Sequence, residues 1–170
     1  MSEQKRERSE PEPARPGMGA GYGISASEEG MLSWGHVAER MERARNYWVS
    51  TTRPEGRPHV VPVWGVWVEG TLYFGTARGS RKARNLAANP ALAVHLESGD
   101  DVVIIEGVAE EVADRGRLTA VDGAYRAKYG IGVGEAGDGA AWFALEPEVA
   151  HAWLESDFPN TATRWRFGNV

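Results

Sequence analysis

Apolar and polar residues alternate with two different periods along the chain. From Trp34 to Ala44 the period is helical: Val37, Met41 and Ala44 fall on one face, and Glu39, Arg40, Glu42 and Arg43 on the other. Ser33 stands just ahead, where a side-chain oxygen caps the free amides of a helix start. Asn46 to Thr52 is aromatic and β-branched, which predicts a strand. Arg53-Pro54-Glu55-Gly56 is a turn signal. Pro58 to Val68 is apolar almost throughout, which predicts a strand covered on both faces. Pro62 and Gly65 inside it point to a bulge or a close approach by another group. Glu69-Gly70 reads as a tight hairpin, with Thr71 to Thr76 as the returning strand.

Beyond Ala77 a loop leads into a short helix that Pro90 ends. Ala91 to Glu97 and Asp101 to Val112 read as strands around a turn at Ser98-Gly99-Asp100. Asp114 to Tyr129 reads as a second long helix, with Leu118, Val121, Tyr125 and Tyr129 on one face. Gly130 to Ala140 is Gly-rich and loose; Ala141 to Leu145, Val149 to Leu154 and Thr161 to Phe167 read as strands. Six or seven antiparallel strands with only short helices predict a mainly β (α+β) small barrel rather than a doubly wound sheet. Residues 1–20 mix charges of both signs with proline, and are expected to form a disordered tail ahead of a domain spanning 21–170.

Composition narrows the function classes. Hydrophobic residues make up 42% of 170 and charged residues 25%, the balance of an ordinary globular chain. No apolar run reaches the roughly 20 residues that span a bilayer, so no membrane helix is expected. With no cysteine, a disulfide scaffold, a thiolate metal site and a cysteine nucleophile are all excluded. A net charge of -5 argues against nucleic acid as a partner. The charged, proline-rich start lacks the apolar core of an export signal, which makes the cytoplasm the expected compartment.

Two segments carry candidate chemistry. Arg78, Ser80, Arg81, Lys82 and Arg84 cluster where a strand and a Gly-containing loop lead into a helix. A helix start offers free amides and the positive end of its dipole, and Ser80 can both cap it and donate to a phosphate. Such a group suits a phosphate, and equally a solvated basic turn. It is not a Walker loop, because the glycine spacing and terminal Lys-Ser/Thr are absent. Pro62 to Trp67 offers a flat apolar wall and backbone groups suited to a planar heteroaromatic ring, or a core strand with two buried tryptophans. The four histidines are scattered, and neither a nucleophile elbow nor a dinucleotide-binding glycine motif occurs in the required context. No catalytic residue and no metal site is assigned.

Taken in order, R-P-E-G (53–56), R-P-H-V-V-P-V-W (57–64), E-G (69–70), L-Y-F-G-T (72–76), S-R-K-A-R-N-L (80–86), N-P (89–90) and E-G-V-A-E (106–110) resemble one family. It is the pyridoxamine 5′-phosphate oxidase-like split β-barrel proteins, and the chain is most similar to their flavin/deazaflavin oxidoreductase branch that uses coenzyme F420. The resemblance covers about Trp34 to Phe167. It implies a split barrel and a homodimer with cofactor at the interface. It also implies a ring lying along Pro62, Val63 and Trp64, and a phosphate held by Thr76, Ser80, Arg81 and Lys82, with Asn85 one turn on. Arg78 and Arg84 fit a groove that stays basic for the polyglutamate tail of F420. The implied activity is hydride transfer between the cofactor and a small unsaturated organic substrate, with an FMN enzyme or a cofactor carrier without turnover as alternatives. The Arg-rich carboxy-terminal motif of the pyridoxamine phosphate oxidases themselves is not found; Arg164 to Phe167 is a short basic-aromatic ending.

Overall fold

The computed structural model describes residues 10–135 and 139–168. Its elements run β1 (Pro13–Ala14), α1 (Trp34–Arg43), β2 (Tyr47–Thr52), β3 (Pro58–Val63), β4 (Gly65–Val68), β5 (Thr71–Ala77) and α2 (Arg81–Ala88). They continue as β6 (Ala91–His95), β7 (Asp101–Glu111), α3 (Arg115–Tyr129), β8 (Ala140–Leu154), α4 (Phe158–Thr161) and β9 (Thr163–Arg166). Both predicted helix starts hold: Ser33 accepts from the His36 amide and Asp114 from the Arg117 amide.

One antiparallel sheet of nine strands runs β1-β9-β8-β7-β6-β2-β3, and the first half of β8 also pairs β5, which pairs β4. This is the mainly β architecture expected, with differences in strand count. The strands expected on either side of Glu146-Pro147-Glu148 are one 15-residue strand, β8. Its proline is tolerated because the β7–β8 register shifts between Glu106 and Gly107, leaving a bulge where no ladder donor is needed. There a Cβ on Gly107 would stand 2.1 Å from the Glu146 carbonyl oxygen, so the two backbones meet only over glycine.

The run Pro58 to Val68 divides at Trp64. β3 pairs β2 on one arm of the sheet, and β4 pairs β5 on the other. The chain thus crosses from one sheet edge to the other without a ladder, and the barrel is split there. Groups from the end of α3 bridge this gap. Tyr129 Oη accepts the Gly65 N–H at 2.9 Å, and Lys128 Nζ donates to the Gly65 carbonyl at 2.8 Å. The main core gathers Val37, Met41, Tyr47, Val49, Phe74, Ile105 and Trp165 inside the barrel. A second cluster, Val66, Val121, Tyr125 and Trp142, seats α3 against β4 and β8.

The expected tail, residues 1–20, meets the fold within its own span. Residues 1–9 lie outside the described residues, but Pro13 and Ala14 pair with Trp165 and Arg164 of β9. Arg15 then donates five hydrogen bonds to the carbonyls of Ser27, Glu29, Asn160 and Ala162. Charge and proline in the sequence hide this, because the partners are backbone groups, 12 and 14 residues away at Ser27 and Glu29 and 145 and 147 residues away at Asn160 and Ala162. Among the described residues no helix is long and apolar enough to cross a membrane, and no group of three or more His, Asp or Glu side chains gathers as a metal site.

Candidate functional site

The start of α2 is built as expected. Ser80 Oγ accepts the Ala83 N–H at 3.2 Å, and Thr76 Oγ1 donates to Ser80 Oγ at 3.0 Å. The helix-capping serine is therefore fixed from behind by the end of β5. Arg81 is exposed and Lys82 half-buried, and neither forms an ion pair among the described residues. Burial alone pushes the Lys82 ammonium below the ordinary lysine value. Two formal charges thus stand at the positive end of a helix without a carboxylate to offset them.

The other residues of the basic segment are differently placed. Arg78 Nη2 lies 2.7 Å from Glu111 Oε1, and Arg84 Nη1 donates to the Gly79 carbonyl. Both side chains are thus already engaged. Asn85 is fully buried and donates to Thr51 Oγ1 at 2.9 Å. It lies beneath the site and ties α2 to β2. Its Oδ1 is a buried acceptor with no donor among the described residues.

Strand β3 is the neighbouring wall. Among the described residues it pairs only with β2, so one edge of its backbone is free. Register partners share a sheet face. His59, Val61 and Val63 face inward with Thr51, Val49 and Tyr47, while Pro58, Val60 and Pro62 face outward with Thr52, Ser50 and Trp48. Val63 is buried, but Val60 is 46% and Trp64 41% exposed. The expectation of a strand covered on both faces is thus corrected: the outer face of β3 is open. A continuous apolar run marks a strand that avoids water, but the described residues leave Val60 and Trp64 of this run exposed. Trp64 stacks on Tyr129 with ring centroids 4.6 Å apart and planes 5° from parallel, and Arg45 lies 6.0 Å over its ring. Its indole is thus held against Tyr129 at the split. A groove of about 340 Å³ continues the open face past Ser50, Ala93 and Glu106.

Sequence reasoning missed two groups. His59 enters from β3 and Arg53 from the β2–β3 turn; burial first, then the positive charges of Arg53, Lys82 and Arg81, hold the imidazole below the ordinary histidine value. The R-P-H-V-V segment contains the histidine, but no local pattern tells that α2 folds over it. Lys128 and Tyr129, at the split, were legible only as the end of an amphipathic helix. The arrangement can hold a phosphate-like anion at the α2 start, next to a free strand edge that offers backbone donors and acceptors.

The family model described as pyridoxamine 5′-phosphate oxidase matches residues 34–154. No curated protein sequence matches the chain. Among solved structures, it is similar to a conserved hypothetical protein from Mycobacterium tuberculosis, at 24% identity and a TM-score of 0.66, covering 77% of this chain and 89% of that one. It is similar also to an F420 reductase, at 24% identity and a TM-score of 0.54, covering 66% of this chain and 93% of that one. A heme storage protein from Vibrio cholerae shares the fold at 20% identity and a TM-score of 0.56, covering 67% and 89%. With the split barrel in place and the match running from the start of α1 to the end of β8, the chain belongs to the pyridoxamine 5′-phosphate oxidase family.

Proposed function

We propose that this protein is an oxidoreductase that binds a flavin-type cofactor, coenzyme F420 in preference to FMN, and acts on a small unsaturated organic substrate. The observation that carries this reading is the pair of unpaired cations, Arg81 and Lys82, at a capped helix start beside a free strand edge. Thr76, Ser80, Arg81 and Lys82 would hold the phosphate. Pro62, Val63 and Trp64 would line the ring, with the free backbone edge of β3 meeting its polar rim. Asn85 contributes from below, by holding α2 on β2 through Thr51. When bound, the cofactor supplies hydride transfer, and the protein supplies binding, orientation and exclusion of water. Family membership and the F420 reductase likeness support this class of chemistry. The preference for F420 rests on the sequence resemblance. Arg78, engaged by Glu111, supports it less than the sequence suggested.

The open outer face of β3 supports a further part of the proposal, a homodimer with the cofactor at its interface; residence in the cytoplasm is proposed on the sequence reading alone. Val60, Pro62 and the edge of Trp64 would be covered by a second copy. Titrating the purified protein separately with FMN and coenzyme F420 tests the function. A quenched and shifted absorption band with micromolar affinity for F420, and weaker binding of FMN, is the expected result. Saturation with neither overturns the proposal. Tight binding without oxidation of the reduced cofactor by any of a panel of activated alkenes would make the protein a carrier.

A further inference from the structure

The last turn of α3 gathers positive charge at the split as well as backbone bonds. Tyr129 Oη, which accepts the Gly65 N–H, donates to the Arg45 carbonyl at 2.7 Å, so the link between α1 and β2 is tied to the same point. The Arg45 guanidinium stands 6.0 Å over the Trp64 ring, and Lys128 Nζ stands 5.3 Å from the Tyr129 ring and 4.6 Å from the Tyr47 ring. One cation thus faces each member of the stacked Trp64–Tyr129 pair. Neither makes an ion pair among the described residues. An ammonium has three donors, and Tyr47 Oη and the Gly65 carbonyl take two of those of Lys128. Arg45 and Trp64 are both exposed. In a chain with 24 acidic side chains against 19 basic ones, two cations beside a rigidly held indole, without a carboxylate, suit an anion that also has a flat apolar part.

This anion is not the phosphate at the start of α2. Lys82 and Arg81 act on His59, near the beginning of β3, whereas Trp64 follows its end. Five residues of extended chain separate the two, roughly 17 Å.

We propose that the split is the substrate end of the site and selects an anionic substrate, a conjugated carboxylate with its planar part against Trp64 and its charge met by Arg45, with Lys128 behind. This rests on the reading of Pro62, Val63 and Trp64 as the wall of the cofactor ring, and it names the substrate class that the wall receives. Arg45 offers a carboxylate a two-pronged contact, and an uncharged analogue of the same shape forfeits it.

Lys128 gives the proposal a pH signature. Burial pushes its ammonium down to about 8. The groups around it are Tyr47 from β2, Tyr129 beside it, Glu42 acting on Tyr47 from α1, and Arg45 acting on Tyr129 from the α1–β2 link. Both phenols are held above the ordinary tyrosine value, chiefly by burial, which leaves the ammonium to change charge near pH 8. A bound carboxylate favours the charged form, so binding takes up a proton there. Affinity for a carboxylate therefore falls as pH rises past that point.

The experiment is calorimetric titration of the protein, with and without added cofactor, using trans-cinnamate and its uncharged counterpart trans-cinnamamide. At pH 7 cinnamate is expected to bind about tenfold more tightly than the amide. Arg45→Gln should abolish that preference and Arg45→Lys should keep most of it. The preference should shrink between about pH 7 and 9 in the unsubstituted protein but not in Lys128→Arg, whose charge does not titrate there. Equal affinities for the two compounds, or binding of neither, in the unsubstituted protein would overturn the proposal, and this needs no variant to fold. So would a preference that survives in Arg45→Gln or that does not change with pH. The two readings fail separately. If cinnamate is preferred but neither FMN nor F420 binds, the anion subsite stands and the cofactor assignment falls. If a cofactor binds and the loaded protein does not prefer cinnamate, the cofactor assignment stands and the substrate class falls.

Discussion

Ser80 does two jobs with one oxygen: it accepts from the Ala83 amide and from Thr76. Ser80→Ala is expected to cost about 1 kcal/mol in urea unfolding, the usual penalty for losing such a cap. An unchanged midpoint would show that the cap contributes nothing to folding. Gly107 shows a different kind of dependence. An alanine Cβ there would meet the Glu146 carbonyl head-on, so Gly107→Ala should destabilise by about 3 kcal/mol or more, or abolish folding. A variant of unchanged stability would contradict the bulge geometry. At this scale the sequence is legible where a residue acts on its own neighbours. Ser33 and Ser80 can be read as caps because a cap needs only the next three residues. Asn85 cannot be read so, because its partner Thr51 arrives through the fold.

Among the elements, α3 depends on its last turn. Lys128 donates to the Gly65 carbonyl and to Tyr47 Oη, and burial pushes its ammonium down to about 8 from 10.5. Between those values the unfolded chain still holds the proton and the folded chain releases it. Stability should therefore rise with pH over that window. Tyr47 and Tyr129, held above the ordinary tyrosine value chiefly by burial, oppose this only from about pH 10 upward. The expected outcome is that Lys128→Met flattens the gain in urea midpoint between pH 8 and 10, compared with the unsubstituted protein. Parallel profiles would show that Lys128 does not titrate in the folded state. The same elements mark how far periodicity carries. The hairpin from β4 to β5, the caps and the ends of α1 and α3 fall close to where the pattern puts them. The break at Trp64 does not, because a run of apolar residues records shielding from water and not which arm of the sheet supplies it. Likewise the turn-like Glu146-Pro147-Glu148 is a bulge within one strand, since β7 runs alongside unbroken.

For the whole molecule, Arg15 ties the first described residues to the end of α4 and to the segment before α1. Arg15→Ala should lower stability by about 1–3 kcal/mol, as expected for charge-assisted bonds to carbonyls that are then left unpaired. A neutral effect would mean that the segment before α1 is merely laid on the surface. Sedimentation should give twice 18.5 kDa, and Val60→Asp should shift the protein to monomer by charging the open face of β3. A concentration-independent monomer would remove the second copy from the proposed site. The family and the split barrel were legible in the ordered motifs, although no single one specifies them; the open face and the converging cations were not, because both exist only once β3 is placed at an edge under α2. The central claim, that this corner binds a cofactor phosphate, is tested most directly by titrating Lys82→Ala and the unsubstituted protein with coenzyme F420 at low and high salt. The account predicts a ten- to hundredfold weaker dissociation constant for Lys82→Ala at low salt, of the order expected for one charge-assisted contact, narrowing as salt screens it. Equal dissociation constants at low salt would contradict it.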